Sequence, residues 1–207
     1  MLDGDNIREI EQLGIDWMGF IFYARSPRNV KLKPSYLPKH CKRVGVFVDM
    51  PINEVIKKAL EYELGYIQLH GKENVEYCKK LRNQLDVSTK IIKCIHISKS
   101  DDIYQTSEYE YLVDYFLFEN RCAQHGGSGM KFDWTYLSNY NGEKPFILSG
   151  GIGPSDTSVI SKISHPRFAG IDLNSLFETN PGHKNAELLK TFIKRLENEQ
   201  NQQTIQR

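Results

Sequence analysis

The residues best placed to do chemistry in this 207-residue sequence stand at the ends of short apolar runs. Glu119 closes the run Tyr115-Phe116-Leu117-Phe118. A carboxylate at the end of a buried strand points toward the mouth of whatever the strands enclose, where partial desolvation raises its pKa and suits it to general acid work. A solvated carboxylate, or a partner for Arg121, is the plain alternative. Arg28, in Ser26-Pro27-Arg28-Asn29, follows the run from Trp17 to Phe22. Its guanidinium can clamp a carboxylate with two parallel hydrogen bonds, although most loop arginines are only solvated. His70, in Gln68-Leu69-His70-Gly71, is placed either to orient a substrate hydroxyl or to serve a structural role.

Two further loops point to an anion. In Ser149-Gly150-Gly151-Ile152-Gly153 the missing side chains let backbone N–H groups approach a phosphate closely. Asp172-Leu173-Asn174-Ser175 adds short polar groups at the end of the following apolar run. Each is an ordinary turn when read alone; together they fall where barrels of alternating strands and helices hold phosphate. Gly126-Gly127-Ser128-Gly129 has the length and freedom of a loop that covers a substrate.

The elements that must position these residues alternate in type. Apolar runs starting at Trp17, Arg43, Tyr66, Ile91, Tyr115, Phe146 and Ala169 read as seven strands buried on both faces. Between them lie segments of helical period: Ile7, Ile10 and Leu13 ending at Gly14; a weak helix near Tyr36; Ile52, Val55, Ile56, Ala59 and Leu60 after Pro51; Val75, Cys78 and Leu81; and Val159, Ile160 and Ile163. A poorly marked helix precedes Tyr115, and a last one carries Leu188, Leu189, Phe192, Ile193 and Leu196, making about eight helices. This is the pattern of a parallel α/β barrel, a single domain over residues 1–196 with a frayed polar tail at 197–207. A closed barrel needs eight strands, and the chain opens on a helix, so the first strand is expected to be missing, with Met1 an internal methionine of a longer chain.

Composition narrows the function. Lys plus Arg (27) nearly cancel Asp plus Glu (26), which leaves no general field for nucleic acid or an anionic membrane. Cys41, Cys78, Cys94 and Cys122 are scattered, with no C-x-x-C pair and no zinc-finger spacing, which argues for a reduced cytoplasmic protein without a structural metal. The start lacks a signal peptide, and no apolar run approaches a membrane span.

Taken in order, Gly19-Phe20-Ile21-Phe22 with Ser26-Pro27-Arg28, Arg43-Val44-Gly45-Val46-Phe47-Val48, Gln68-Leu69-His70-Gly71, Gly126-Gly127-Ser128-Gly129 with Phe132-Asp133-Trp134, Ser149-Gly150-Gly151, and Pro181-Gly182-His183-Lys184 resemble the phosphoribosylanthranilate isomerase family over nearly the whole chain. The resemblance implies a TIM (β/α)8 barrel and an aldose–ketose type isomerisation in tryptophan biosynthesis. That reaction is the Amadori rearrangement of N-(5′-phosphoribosyl)anthranilate, with no metal or organic cofactor. It implies Glu119 as general acid, Arg28 on the anthranilate carboxylate, Gly150, Gly151, Asn174 and Ser175 on the phosphate, and His70, Gly127, Ser128 and Asp172 as further substrate contacts. The partner is the small phosphoribosyl substrate, and the chain is expected to act as a monomer or homodimer.

Three positions depart from the family pattern. The family's general base is a cysteine in a Lys-x-Cys-Gly stretch just before the first helix, and this sequence has no such stretch; Met1 takes the position after it. The family's acid is an aspartate, here Glu119, and its lysine after Gly-Ser-Gly is Met130, with Lys131 one place later. None of the four cysteines reads as a replacement base: Cys122 is a loop thiol near the acid, and Cys94 belongs to the core. These departures keep open a non-catalytic sugar-phosphate binder of the same family. Another phosphate-binding barrel such as indoleglycerol-phosphate synthase fits less well, since Lys93 is the only clear intrastrand lysine.

Overall fold

The structure, a computed structural model, describes residues 1–120 and 131–205. Its seven long runs form one parallel sheet in chain order: β1 (Trp17–Ile21), β2 (Lys42–Phe47), β3 (Tyr66–Leu69), β4 (Lys90–Ile97), β5 (Tyr115–Asn120), β6 (Phe146–Leu148) and β7 (Phe168–Ile171). Each strand pairs with the next, and β1 and β7 are the two edges. The sheet is strongly curled. Trp17 of β1 packs edge-on against Tyr115 of β5 with ring centroids 5.1 Å apart, whereas four flat strand spacings would hold them about 19 Å apart.

The curl creates two cores, one on each face of the strands. The outer core lies between strands and helices and takes Phe20, Phe47, Ile67, Ile91, Phe116, Phe118 and Phe146. The inner one holds Val44, Ile92, Cys94, Leu117 and Ile147, with Trp17, Tyr66 and Tyr115 packed against it. Burial on both faces is why the strands read as continuous apolar runs rather than alternating ones.

The helices are α1 (Gly4–Glu11), α2 (Ile52–Tyr62), α3 (Val75–Arg82), α4 (Thr157–Ile160) and α5 (Ala186–Ile205). Asp3 and Asn74 cap α1 and α3 by accepting the N–H of Asn6 and Tyr77. Short 3₁₀ segments cover Ser100–Glu108, Trp134–Asn139 and Ser175–Phe177, and β8 (Glu178–Asn180) forms a small antiparallel hairpin with β9 (His183–Lys184). Among the described residues no helix is long and apolar enough to cross a membrane.

Several expectations are corrected. No helix forms near Tyr36. That segment is held instead by Glu11, which accepts hydrogen bonds from Tyr36 Oη, Lys39 N and His40 N. Leu60 is 76% exposed, so α2 packs through Ile52, Val55, Ile56, Ala59 and Tyr62 instead. The helix around Val159 shrinks to the four residues of α4. Helix α5 continues past Leu196, where the apolar face ends, to Ile205, with Glu199 accepting hydrogen bonds from Thr157 and Ser161 of the α4 region.

Candidate active site

Parallel register builds the site on the inner face of β3, β4 and β5. It sets His96 beside Glu119 on neighbouring strands, while His70 follows β3 by one residue. Glu119 Oε2 lies 2.8 Å from His70 Nε2 and 3.9 Å from His96 Nδ1. The other nitrogen of each ring is also engaged: Gln68 Nε2 is 3.1 Å from His70 Nδ1, and His96 Nε2 is 3.2 Å from the carbonyl oxygen of His70. One layer deeper, Cys94 Sγ stands 3.9 Å from both ring nitrogens of His96. The glycine loop after β6 closes directly over the acid. Gly150 has φ +85°, and a Cβ there would come within 2.9 Å of Glu119 Cγ and 3.0 Å of Asn120 N. Only glycine accepts both that conformation and that approach.

Charge in this cluster differs from the expectation for Glu119. Burial does push its pKa up, but the hydrogen bond from His70 and the charges of His70 and His96 more than reverse this, so the carboxyl is more acidic than usual. The anticipated rise is therefore corrected to a fall: desolvation alone was visible at the strand end, and the partner was not. Burial opposes protonation of His70, yet Cys94 and Glu119 raise its pKa well above the ordinary value. The Cys94 thiol, pushed up by burial and pulled down by His70 and His96, settles at about 7. It is buried as expected of a core residue, but it faces two imidazoles. Asp172, to which Ser149 Oγ donates at 3.1 Å, moves the other way: burial raises its pKa, Lys184 opposes, and Glu119 adds to the rise.

A second cluster lies between the loop after β1 and the β8–β9 hairpin. Arg28 Nε and Nη2 sit 2.8 and 2.7 Å from Glu178 Oε2, and Lys184 Nζ is 3.2 Å from Glu178 Oε1 and donates to Asn174 Oδ1 at 2.8 Å. Burial would raise the Glu178 pKa, but the Arg28 hydrogen bond and the Lys184 charge hold it below the usual range. The carboxylate that Arg28 holds in this structure is thus the protein's own. The Met1 amino group, buried beside these residues, donates to Gly19 O at 2.9 Å and has its pKa pulled down to about 5.

On the outer face of β4, Lys93 bonds Glu73 Oε2 and Gly71 O, each at 2.8 Å. Glu73 also accepts from Asp49 N and Gly71 N, so this buried pair ties down the turn directly after His70. Lys93 points away from the mouth, which explains why an intrastrand lysine here signals position rather than reaction.

The structure thus brings together Glu119, His70, Asp172 and Gly150, and separately Arg28 and Asn174 through Glu178 and Lys184; Asp172 feels charges from both groups. Gly151 (φ +69°) continues the glycine turn and Ser175 opens a 3₁₀ segment beside Asn174. Gly127 and Ser128, with the rest of the Gly126–Gly129 loop, Arg121, Cys122 and Met130, lie outside the described residues. Lys131 pairs with buried Asp156 at 2.5 Å. Sequence reasoning missed Cys94, His96, Glu178 and Lys184. The alternation Cys94-Ile95-His96 near a strand end was the available signal, because residues two apart share a face. A concavity of about 400 Å³ lies at the opposite end, where β1, β2 and β3 begin with Trp17, Lys42 and Tyr66, away from these groups.

A family model described as N-(5'phosphoribosyl)anthranilate (PRA) isomerase matches residues 2–195. The chain belongs to the PRA isomerase family. It is 45% identical over 196 residues to the N-(5'-phosphoribosyl)anthranilate isomerase of Phocaeicola vulgatus, covering 95% of this chain and 94% of that protein. It is 46% identical over 202 residues to that of Parabacteroides distasonis, covering 95% and 90%. Among solved structures, a phosphoribosyl anthranilate isomerase from Thermotoga maritima superposes with a TM-score of 0.79 at 27% identity, over 95% of this chain and 97% of that one. Another PRA isomerase, in complex with reduced 1-(o-carboxyphenylamino)-1-deoxyribulose 5-phosphate, gives 0.76 at 25% identity over 94% and 93%. The seven-stranded sheet is therefore a TIM-barrel arrangement in which β1 and β7 remain edges.

Proposed function

We propose that this chain isomerises N-(5′-phosphoribosyl)anthranilate to 1-(2-carboxyphenylamino)-1-deoxyribulose 5-phosphate, in the cytoplasm and as a monomer or homodimer. The observation that carries the reading is the Glu119 carboxylate at the end of β5, 2.8 Å from His70 Nε2 and directly beneath the Gly150 turn. Backbone N–H groups of Gly150 and Gly151, with Asn174 and Ser175, receive the phosphate. Arg28 takes the anthranilate carboxylate in place of Glu178, which keeps Lys184 as its counter-charge.

Chemistry begins with a proton. Glu119, resupplied from the His70 imidazolium, protonates the ribose ring oxygen; the C1′–O bond breaks and the anilino nitrogen lone pair forms the C=N bond. A base then removes the C2′ proton, the electron pair makes an enolamine, and tautomerisation leaves a ketone at C2′ and a methylene at C1′. One carbon is oxidised and its neighbour reduced, so no cofactor is needed. The family's base lies in its Lys-x-Cys-Gly stretch, for which this sequence has no counterpart. The test is the isomerase assay, by loss of substrate fluorescence, on this chain beside one extended upstream by a strand carrying that stretch. Turnover in the extended chain alone assigns the base to the added cysteine, and turnover in both assigns it to a residue already present. Silence in both overturns the reading in favour of a sugar-phosphate binder.

A further inference from the structure

The inner face of β4 and the end of β3 bring two imidazoles and a thiol to one point: a ligand atom from each of His70, Cys94 and His96 lies within 4.8 Å of the others. We propose that these three side chains form a binding site for a divalent transition metal of the zinc class at the mouth of the barrel, with Glu119 or a water as the fourth ligand.

The donor set fits such an ion. Two imidazoles and a thiolate select zinc, cobalt or copper over magnesium or calcium, which prefer oxygen. The orientation fits as well. His96 Nε2 can only donate to the His70 carbonyl oxygen, 3.2 Å away, which leaves the Nδ1 lone pair facing Cys94 and Glu119. Gln68 stands at His70 Nδ1; turned so that its oxygen accepts from Nδ1–H, it leaves the His70 Nε2 lone pair to a metal that replaces the proton now shared with Glu119 Oε2 at 2.8 Å. Each ring nitrogen not used for the metal therefore has an outer partner that fixes its tautomer, the arrangement that metal-bound histidines adopt.

The distances are within reach of side-chain rotation. With Zn–S about 2.3 Å and Zn–N about 2.0–2.1 Å, a tetrahedral centre wants sulfur and nitrogen about 3.5 Å apart, against 3.9 Å between Cys94 Sγ and His96 Nδ1. Side-chain rotation of a few tenths of an ångström closes that pair, and the widest separation among the three ligand atoms, up to 4.8 Å, closes with a larger rotation of the partly exposed His70 ring. Access is from the mouth, where His70 and His96 are partly exposed while Cys94 is buried beneath them. An ion seated here holds His70 and borders Glu119, so it would block proton delivery; that consequence rests on the function proposed above, and the binding itself does not.

The test is titration of the full chain with Co²⁺, followed by absorption spectroscopy. The expected result is one equivalent bound, with a sulfur-to-cobalt charge-transfer band in the near ultraviolet, tetrahedral d–d bands in the visible, and loss of both on adding Zn²⁺. Cys94→Ser should abolish the charge-transfer band, and His96→Asn, at a half-buried position, should weaken binding without unfolding the chain, as checked by circular dichroism. Gln68→Ala should lower Co²⁺ affinity about 10–100-fold through the outer partner alone. Absence of the band in the unaltered chain, or its survival in Cys94→Ser, overturns the proposal. Zn²⁺ inhibition of turnover, relieved by a chelator and lost in Cys94→Ser, is read separately. A chain without isomerase activity can still pass the cobalt titration, and a failed titration leaves the isomerase reading standing.

Discussion

The two faces of β4 border two acid–base pairs, Lys93 with Glu73 outside and His70 with Glu119 inside, and the pairs differ. Outside the barrel, Lys93 and Glu73 are an ammonium and a carboxylate sealed at 4% and 1% side-chain exposure, bonded to each other and to the backbone of Gly71. Inside, His70 and Glu119 are each about a quarter exposed and face His96 and Cys94; against burial, Cys94 and Glu119 raise the His70 pKa, and His70 and His96 lower that of Glu119. The outer pair serves as a clamp on the turn directly after His70. In the function proposed above, the inner pair relays a proton. Alternation along β4 puts Lys93 on the outer face with Glu73, and Cys94 and His96 on the inner face with His70 and Glu119.

The largest way to break this comparison is at the inner carboxyl. Glu119→Gln should lower kcat by about 10²–10⁴-fold, the usual worth of a general acid, while affinity for a phosphorylated product analogue measured by calorimetry changes little. Retained turnover would remove Glu119 from the acid role. On the outer face the effect should fall on stability instead. Glu73→Ala strands the Lys93 ammonium and should cost about 3–5 kcal/mol in urea unfolding. The paired change Glu73→Leu with Lys93→Met should recover most of that loss, because an apolar pair of similar volume is often as stable as a buried ion pair.

A smaller effect sharpens the contrast at the hairpin. Arg28→Ala should raise KM about tenfold to a hundredfold, from the loss of about 1.5–3 kcal/mol of charge-assisted hydrogen bonding. Inhibition by inorganic phosphate should change less, and an equal change in both would move Arg28 out of the carboxylate subsite. The smallest effect concerns pH. Because Arg28 and Lys184 depress the folded-state pKa of Glu178 below the ordinary 4.5, its contribution to stability is complete above that value and is lost as pH falls through the depressed one. Melting temperatures of the unaltered chain and Glu178→Gln should therefore differ at neutral pH and converge in acid; a constant gap would show that the ion pair is not what stabilises the hairpin.

Much of this architecture is legible in the sequence. Val44-Gly45-Val46-Phe47 and Phe116-Leu117-Phe118 can only be strands buried on both faces, and such strands require helices around a parallel sheet. The ends of those strands then locate Glu119, His70, Gly150 and Asp172 at one opening. Tyr36 and Leu60 show the limit: the helix read near Tyr36 gives way to hydrogen bonds onto Glu11, far along the chain, and Leu60 lies in α2 as read but on its exposed side.

What the sequence by itself determined is the order of the elements and the end of the barrel at which the polar residues collect, because both follow from alternation and burial along the chain. Only the tertiary structure decided which of those residues meet. His70 and His96 are 26 positions apart, Arg28 and Glu178 are 150 apart, and no local period encodes either contact. The sign of the Glu119 shift was decided the same way, since desolvation belongs to the strand that carries the group, whereas the opposing charge arrives from neighbouring strands once the sheet has curled.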